Sequence, residues 1–592
     1  MHPQLPSSDQ DKASPYPGRY LPSAEQEEPY QDESAPKHWL LALLLPLAVL
    51  LALGILCWVV PEKWLSVESM DQAAMAMPFE PPRVESPVLL TGVPLPPENV
   101  QQTLQQRRAF FSGDFEFLER SLNQQRQQSL LSREGSIGYS PFIRSLEDTA
   151  LAGVDRCEQW LQAMPESYAA HWVCAEVWND GAWEARSERQ RSDINIAQSV
   201  LIDERLHISN QLLERALLLD DKPIEALTLL AENHFLLGTR VDESSVAWER
   251  LLNLFDGEID ALGADLYPRT TGLASWYIEQ ALAASPRYLP AHRTWANFLQ
   301  PRWGGAEALV LGAIEQARRA GIAEPDLHDM RDDFVVYPAS FSTPGATQAY
   351  WEEAISQQPT RKRLEGLMHD QAGRENWKAV VPAAEALISR YPDDAGAYYW
   401  LAEARKMLGQ TEQARGANLY ATALGHDGAT QNLIMAFIRG GLGVDENYVG
   451  PSLPEICKYS AALGSPIGAN CLGAGYFEGG QPGVPFVRDP AQGYAWHLLA
   501  SRAGHYNSQF DLGWMLYSGR VPGLEKEVAQ DMGIFWLRRA EEKQHKFAAR
   551  RLDELNIDRA SWAYSSDNLF VLKNTIKTNL AWLRQQLRSL LA

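Results

Sequence analysis

Two consecutive stretches of the sequence repeat each other and decide the fold. Residues 470–505 read NCLGAGYFEGGQPGVPFVRDPAQGYAWHLLASRAGH, and residues 510–545 read FDLGWMLYSGRVPGLEKEVAQDMGIFWLRRAEEKQH. Nine of these 36 positions recur unchanged 40 residues later, whereas average composition would give roughly two matches. The recurring residues are Leu472, Gly473, Gly479, Pro482, Gly483, Gly493, Trp496, Ala500 and His505. A fixed period of this length indicates stacked supersecondary units.

Each unit is predicted to consist of two helices joined by a Pro-Gly loop. Trp496 and Ala500 are four residues apart, so they share one face of the second helix. Small residues beside large ones allow neighbouring helices to approach closely and interlock. His505 recurs as His545 at the repeat period, and we therefore expect these histidines to be structural rather than metal ligands.

The repeated pattern resembles the Sel-one-like repeat. An early Leu-Gly, an aromatic residue, a glycine and an Ala-rich second helix match that family over Leu472–Ala540, and a degenerate copy covers Leu433–Gly464. The unit here is longer than usual, with the extra residues in the Pro-Gly loop. Members of the family are adaptors and scaffolds, so the resemblance implies an all-α helical-hairpin solenoid over 429–556 that binds proteins.

Residues 345–428 resemble tetratricopeptide repeats. Tyr391-Pro392-Asp393 closes one helix, and Gly409 turns the chain between the next two. In such arrays the first helices of successive units line a concave groove that holds peptides. The resemblance implies that the groove side presents Tyr399, Glu403, Lys406 and Met407 to a protein partner. The alternative is that these four residues simply face solvent.

The hydrophobic period of the earlier region 101–340 predicts helices, and the spacing of its apolar residues is tetratricopeptide-like. This region resembles the bacterial family called domain of unknown function 4034, over about 105–335, in its segments Gly113-Asp114-Phe115, Trp183-x-Ala185-Arg186 and Pro301-Arg302-Trp303-Gly304-Gly305. This resemblance implies an architecture but no chemistry. At the other end, residues 557–592 carry a broad apolar stripe, which predicts C-terminal capping helices.

The N-terminal hundred residues predict a membrane anchor. Residues 1–37 are polar and lack hydrophobic periodicity, which is typical of a disordered cytoplasmic tail. Residues 38–60 include an uncharged run of 22 residues from Trp39 to Val60, about 33 Å of helix and enough to cross a bilayer. The alternative, a cleaved signal peptide, fits poorly because the run is long and begins late. Residues 61–100 are rich in proline and are predicted to be an extended linker.

Function follows from this organisation only in outline. Basic residues slightly favour the N-terminal side of residues 39–60, which predicts a cytoplasmic N terminus and a periplasmic C-terminal domain at the inner membrane. We expect a scaffold or adaptor that binds unidentified protein partners in the bacterial envelope. The alternative is an immunity-like inhibitor that binds a secreted toxic effector in the periplasm. The net charge of −22 argues against nucleic-acid binding.

No catalytic pattern in the sequence supports an enzyme, and we expect no catalytic residue, no cofactor and no metal site. Gly473-x-Gly475 lacks the third glycine of a dinucleotide loop and lies between helices. The acidic group Asp326, Asp329, Asp332 and Asp333 has no calcium-loop spacing, and a solvated helix face is the preferred interpretation over a cation site.

Four of the five cysteines form two pairs that flank turns almost symmetrically. Cys457 and Cys471 lie seven residues on either side of Gly464, and Cys157 and Cys174 lie eight and nine residues from Pro165. Residues equidistant from the turn of a helical hairpin lie level with each other, so both pairs could form disulfides in an oxidising compartment. The alternative is that all four are reduced core residues.

Overall fold

The computed structural model describes ten segments of the chain: residues 89–131, 140–146, 152–186, 196–238, 272–303, 305–336, 347–444, 448–479, 486–521 and 524–557. The predicted tail 1–37, the predicted membrane helix 38–60 and residues 558–592 of the predicted capping segment lie outside these segments, as do both Pro-Gly loops. Within the segments, no helix combines the length and the apolar character needed to span a membrane.

Every regular element in the described segments is a helix, as the sequence predicts. The helices up to residue 331 are α1 (Glu98–Ser112), α2 (Phe115–Leu131), α3 (Ser140–Leu146), α4 (Val154–Ala163), α5 (Tyr168–Arg186), α6 (Ile196–Ala216), α7 (Ile224–Gly238), α8 (Gly272–Ala284), α9 (Leu289–Phe298), α10 (Glu307–Ala320) and α11 (Glu324–Arg331). A short 3₁₀ turn, Pro301–Trp303, follows α9, and a π-helical turn, Asp332–Val336, follows α11.

The later helices form the repeats that the sequence predicts. They are α12 (Thr347–Gln357), α13 (Arg361–Gly373), α14 (Trp377–Arg390), α15 (Ala395–Met407), α16 (Thr411–Ala423), α17 (Asp427–Arg439), α18 (Leu453–Ala462), α19 (Pro466–Glu478), α20 (Pro490–Arg502), α21 (Tyr506–Tyr517), α22 (Lys526–Glu542) and α23 (Ala548–Glu554). Successive helices pack against each other in sequence order, which is the arrangement of a helical-repeat solenoid.

The residues that repeat with a period of 40 hold the helix pairs together. Trp496 of α20 and Trp536 of α22 are each 3% exposed, and Ala500 and Ala540 are fully buried. The tryptophans are therefore packing residues, as predicted, and removal of such a buried ring costs about 3–5 kcal/mol.

Two repeated glycines set how closely the paired helices approach. A Cβ atom at Gly493 would lie 2.6 Å from the backbone nitrogen of Phe477, and one at Gly533 would lie 2.6 Å from that of Tyr517. No side chain fits at those distances, so glycine at these positions lets the second helix of each unit touch the backbone of the first.

His505 has the structural role that its recurrence predicts. It precedes α21, and its Nδ1 accepts a hydrogen bond from the backbone N–H of Ser508 at 3.3 Å. An N-cap of this kind satisfies a backbone donor that the helix leaves unpaired. Burial lowers the pKa of His505 to about 4, with Lys543 and His545 adding repulsion, so the ring is neutral and can accept at neutral pH.

The segment before α1 packs into the C-terminal repeats. The chain was predicted to be an extended linker over 61–100, but in the structure Leu90 is 2% exposed and α1 begins at Glu98. Leu90, Val100 and Leu104 share one hydrophobic cluster with residues of α16, α17 and α18. The described part of the predicted linker is therefore folded, because its few apolar residues find a surface on distant repeats.

Polar contacts between residues about 350 positions apart in the sequence stabilise the same interface. The Arg107 side chain is 4% exposed, and its Nε donates to the carbonyl oxygen of Leu463, the C-cap of α18, at 2.5 Å. The Arg108 guanidinium lies 4.7 Å from the ring centroid of Tyr459. A cation at a helix C terminus is favourable because the last carbonyls carry partial negative charge. Further along, Asp155 of α4 pairs with Arg502 of α20 at 3.1 Å.

The four paired cysteines lie where the symmetry of their turns predicts. Cys157 and Cys174 have Cα atoms 5.4 Å apart, and Cys457 and Cys471 have Cα atoms 5.8 Å apart, with the sulfur atoms of each pair bonded. Both Cα separations lie in the range of about 4.4–6.8 Å that disulfides require. Whether the cysteines are oxidised in the cell stays a prediction.

The acidic group at the end of α11 is an ion-pair network. Asp332 is fully buried, and its carboxylate accepts from Arg363 Nε at 2.7 Å and from the same guanidinium at 2.9 Å. Asp333 pairs with Arg293 and with Lys362. The predicted solvated helix face is therefore wrong for Asp332, because an arginine 31 residues later neutralises it. Among the described residues no cluster of His, Cys, Asp or Glu side chains has an arrangement suited to a metal ion.

The close helix contact predicts the effect of adding one methyl group. Gly533→Ala should lower the free energy of unfolding by about 1–3 kcal/mol, because the new Cβ meets the Tyr517 backbone. The matched control is Gly416→Ala, inside α16, where an added Cβ meets nothing within 4 Å. That change should raise the free energy of unfolding by about 0.5–1 kcal/mol. Urea unfolding of the purified full chain in detergent measures both, and equal effects would contradict the assigned contact.

Candidate protein-binding groove

The first helices of the last repeats line a groove of about 380 Å³. It lies along α17, α19 and α21 and ends at the turn before α23. We call it the repeat groove and define it by its lining residues: Gln431, Ile434, Met435, Ile438, Asn470, Cys471, Asn507, Phe510, Asp511, His545 and Phe547. First helices are the elements that the tetratricopeptide resemblance places on the concave side.

Apolar side chains form much of the surface of the repeat groove. Ile438 is 60% exposed near the end of α17, and Phe547 is 39% exposed before α23. Met435 lies one turn before Ile438 on the same helix face. Exposure of these apolar side chains to water is unfavourable. Covering them with a partner's apolar surface would stabilise the complex by about 25 cal/mol per Å² buried. Exposed apolar side chains gathered in a concavity are typical of interaction sites.

Asp511 is the acidic residue among the groove-lining side chains. It lies on α21, and within the part of the chain that the structure describes its carboxylate makes no hydrogen bond and no ion pair. Burial, together with a smaller contribution from the negative charge of Glu478, raises the pKa of Asp511 to about 7. No cation among the described residues therefore offsets the cost of ionising this group.

Aromatic rings line the same groove as the Asp511 carboxylate. The rings of Phe510 and His545 stack with centroids 4.3 Å apart, and Phe547 lies 5.9 Å from His545. Burial lowers the pKa of His545, with Lys546 adding repulsion, so its ring is neutral at neutral pH. Its Nδ1 is buried and has no hydrogen-bond partner among the described residues. The histidine therefore contributes a flat uncharged wall to the groove.

Two amides add polar groups that suit a peptide backbone. Asn470 lies on α19, the middle of the three helices, and its Oδ1 accepts from Ser508 Oγ at 2.7 Å. Asn507 lines the groove, and in the described segments its side chain makes no hydrogen bond. An amide can both donate to a peptide carbonyl and accept from a peptide N–H.

The four residues predicted to bind a partner lie on α15, the first helix next to α17. Tyr399 stacks on His426, with centroids 4.5 Å apart, and Glu403 accepts from Asn432 Nδ2 of α17 at 2.6 Å. Lys406 Nζ is 3.4 Å from Glu403, and Met407 is 57% exposed. Three of the four are thus held together beside the repeat groove, and their role in binding stays a prediction.

The groove residues were missed by the sequence analysis, although the repeat carries a signal for them. Asn470 and Phe510 are 40 residues apart, and so are Cys471 and Asp511. These positions precede Leu472 and Leu512, which are fully buried. The register of the buried leucines could have placed both columns on one common side of the first helices, which is the groove side. It could not have indicated which chemistry each copy carries there.

Comparison with known proteins confirms part of the sequence assignment. Residues 103–242 match the family model described as domain of unknown function (DUF4034), which begins near the predicted start of 105 and ends before the predicted 335. No curated protein matches the chain.

Solved structures of repeat proteins align with the chain at low identity. A Sel1 repeat protein from Oxalobacter formigenes is 16% identical, with 82% of this chain and 99% of that chain covered and a TM-score of 0.28. The protective antigen c5321 of uropathogenic Escherichia coli, which displays an SLR fold, is 14% identical, with 78% and 97% covered and a TM-score of 0.32.

The half-buried carboxylate of Asp511 predicts a pH-dependent gain in stability when it is replaced. The raised pKa of Asp511 means that the folded wild-type chain loses stability as pH rises from about 4 to about 7. Asp511→Asn removes this titration, so its gain over wild type should be near zero at pH 3, below the pKa of an aspartate in the unfolded chain, and about 2–4 kcal/mol at pH 8. Unfolding in urea at both pH values measures the difference. The control Asp531→Asn, exposed on α22, should show no such change, and a pH-independent gain for Asp511→Asn would contradict the assignment.

Proposed function

We propose that this protein is a membrane-anchored scaffold or adaptor that binds protein partners through its helical repeats. The observation that carries the proposal is the repeat groove, in which exposed Ile438 and Phe547 are lined up with Asn507 and Asp511 of α21, whose side chains have no hydrogen-bond partner among the described residues. Repeat arrays use such concave surfaces to hold peptides. Residues on α15 extend the same side of the array toward Tyr399 and Met407.

The proposed location is the inner membrane, with residues 39–60 as the anchor and the repeats in the periplasm. The uncharged run from Trp39 to Val60 supports the anchor. The geometry of Cys157–Cys174 and Cys457–Cys471 supports an oxidising compartment for the repeats. We include both disulfides in the proposal.

Location and oxidation can be tested on the same membranes. Alkaline phosphatase fused after Ala592 should be active, since the enzyme folds only outside the cytoplasm, and a fusion before His38 should be inactive. Thiol labelling of the denatured protein without reductant should modify Cys57 alone among the five cysteines. An inactive C-terminal fusion would exclude the periplasmic location, and labelling of all five cysteines would exclude the disulfides.

If partners bind in the repeat groove, a charged side chain introduced on its surface should sharply reduce the amount of partner recovered with the protein. Crosslinking in membranes, purification and mass spectrometry should identify the same partner in replicate wild-type samples. Ile438→Lys should reduce its recovery at least about tenfold, because a charge then replaces a desolvated apolar contact. The control is Val528→Lys on α22, which is 47% exposed and lies outside the groove lining. Equal recovery with both variants would contradict binding at the groove.

A further inference from the structure

The polar groups of the repeat groove that lack hydrogen-bond partners in the described segments indicate which kind of ligand the groove binds. Asp511 is an ionisable acceptor with no donor in the described structure, and Glu478 adds negative charge nearby. Arg520 is 4.0 Å from Glu478, at the long limit of an ion pair, and both side chains are more than half exposed. Pairs at that exposure contribute little, so the field at Asp511 stays negative.

The cations near the groove contact aromatic rings, one of which belongs to the groove lining. Lys546 and Arg550 lie over the face of Phe547, at 4.5 Å and 5.1 Å from its centroid. Arg551 lies over Trp514 at 4.0 Å and pairs with Glu554 at 2.6 Å. None of the three cations is among the residues that line the groove, and none lowers the pKa of Asp511.

We propose that the repeat groove binds a protein segment through a lysine or arginine side chain that pairs with Asp511. Its ammonium or guanidinium would donate to the carboxylate, and the methylene stem of the same side chain would lie against Phe510 and the neutral ring of His545. Apolar residues flanking the basic residue would contact Met435, Ile438 and Phe547. Asn470 and Asn507 would hydrogen-bond the backbone of the segment.

The charge complementarity also explains why an acidic residue is tolerated in this position. Ionising a half-buried carboxylate that has no partner among the described residues costs free energy of folding, and the neighbouring Glu478 increases that cost. A bound cation would restore the ionised form and recover the energy on binding. An acidic or purely apolar segment would leave Asp511 desolvated without a partner and would therefore bind less tightly.

This inference rests on the proposed function, so its test separates the two. A phage-displayed library of random dodecapeptides is selected against the full wild-type chain in detergent, and the best peptide is labelled for fluorescence anisotropy. Enriched peptides should carry a lysine or arginine beside apolar residues. Asp511→Asn should weaken the best peptide by about 10- to 100-fold, whereas the control Asp531→Asn should leave its affinity unchanged.

A second set of peptides identifies the interacting charge. Replacing the basic residue of the peptide by norleucine should weaken binding to wild type by a similar factor, and this peptide should no longer distinguish wild type from Asp511→Asn. The enriched peptides could instead lack a basic residue, bind Asp511→Asn as tightly as wild type, and lose affinity for Ile438→Lys. That result would overturn the inference and leave the proposed function intact. Failure to enrich any peptide that is sensitive to Ile438→Lys would overturn both.

Occupation of the groove by the chain's own C-terminal residues would also overturn the inference. Residues 558–592 contain Lys573, Lys577, Arg584 and Arg588. If residues 558–592 filled the groove, a crosslinkable amino acid placed at Ile438 would join to them in the full chain, and library peptides would compete with that product. Crosslinking to added peptide alone supports the proposal.

Discussion

The distance between the two helices of each repeat is the constraint on which the described structure depends. At Gly493 and Gly533 the second helix touches the backbone of the first, and Trp496 and Trp536 fill the space beside that contact. The second helices α20 and α22 pack against their first helices in this way, and the first helices α17, α19 and α21 together line one concave surface. The repeat groove is that concave surface.

The sequence predicts the parts of this structure that recur. Trp496 and Ala500 appear again 40 residues later, and a packing contact made in every repeat is imposed on every copy of the sequence. Burial of these residues, the hairpins and the capping histidine His505 follow from the period alone. The cysteine pairs follow from a related regularity, since symmetry about a turn places two residues level in a hairpin.

Contacts made only once leave no such signal. Arg107 and Leu463 are 356 residues apart, and neither position is marked by a period or a motif, so the N-terminal segment appeared to be a linker that continues into a separate domain. Asp332 and Arg363 form a buried pair for which the sequence shows only four nearby acidic residues. Asp511 has a further reason to escape prediction: the repeat fixes where this column lies, but the side chain differs between copies, with Cys471 in one and Asp511 in the next.

The packing of α1 on α18 can form only late in the synthesis of the protein, after α18 has been made. Val100 and Leu104 leave the ribosome long before Ile456 and Leu463, which complete their hydrophobic cluster. At roughly 5–20 residues per second, the 356 residues between Arg107 and Leu463 take roughly 20–70 s to make. For that interval the N-terminal apolar surface has no partner on its own chain. The protein therefore depends, while it is being made, on whatever shields that surface from aggregation.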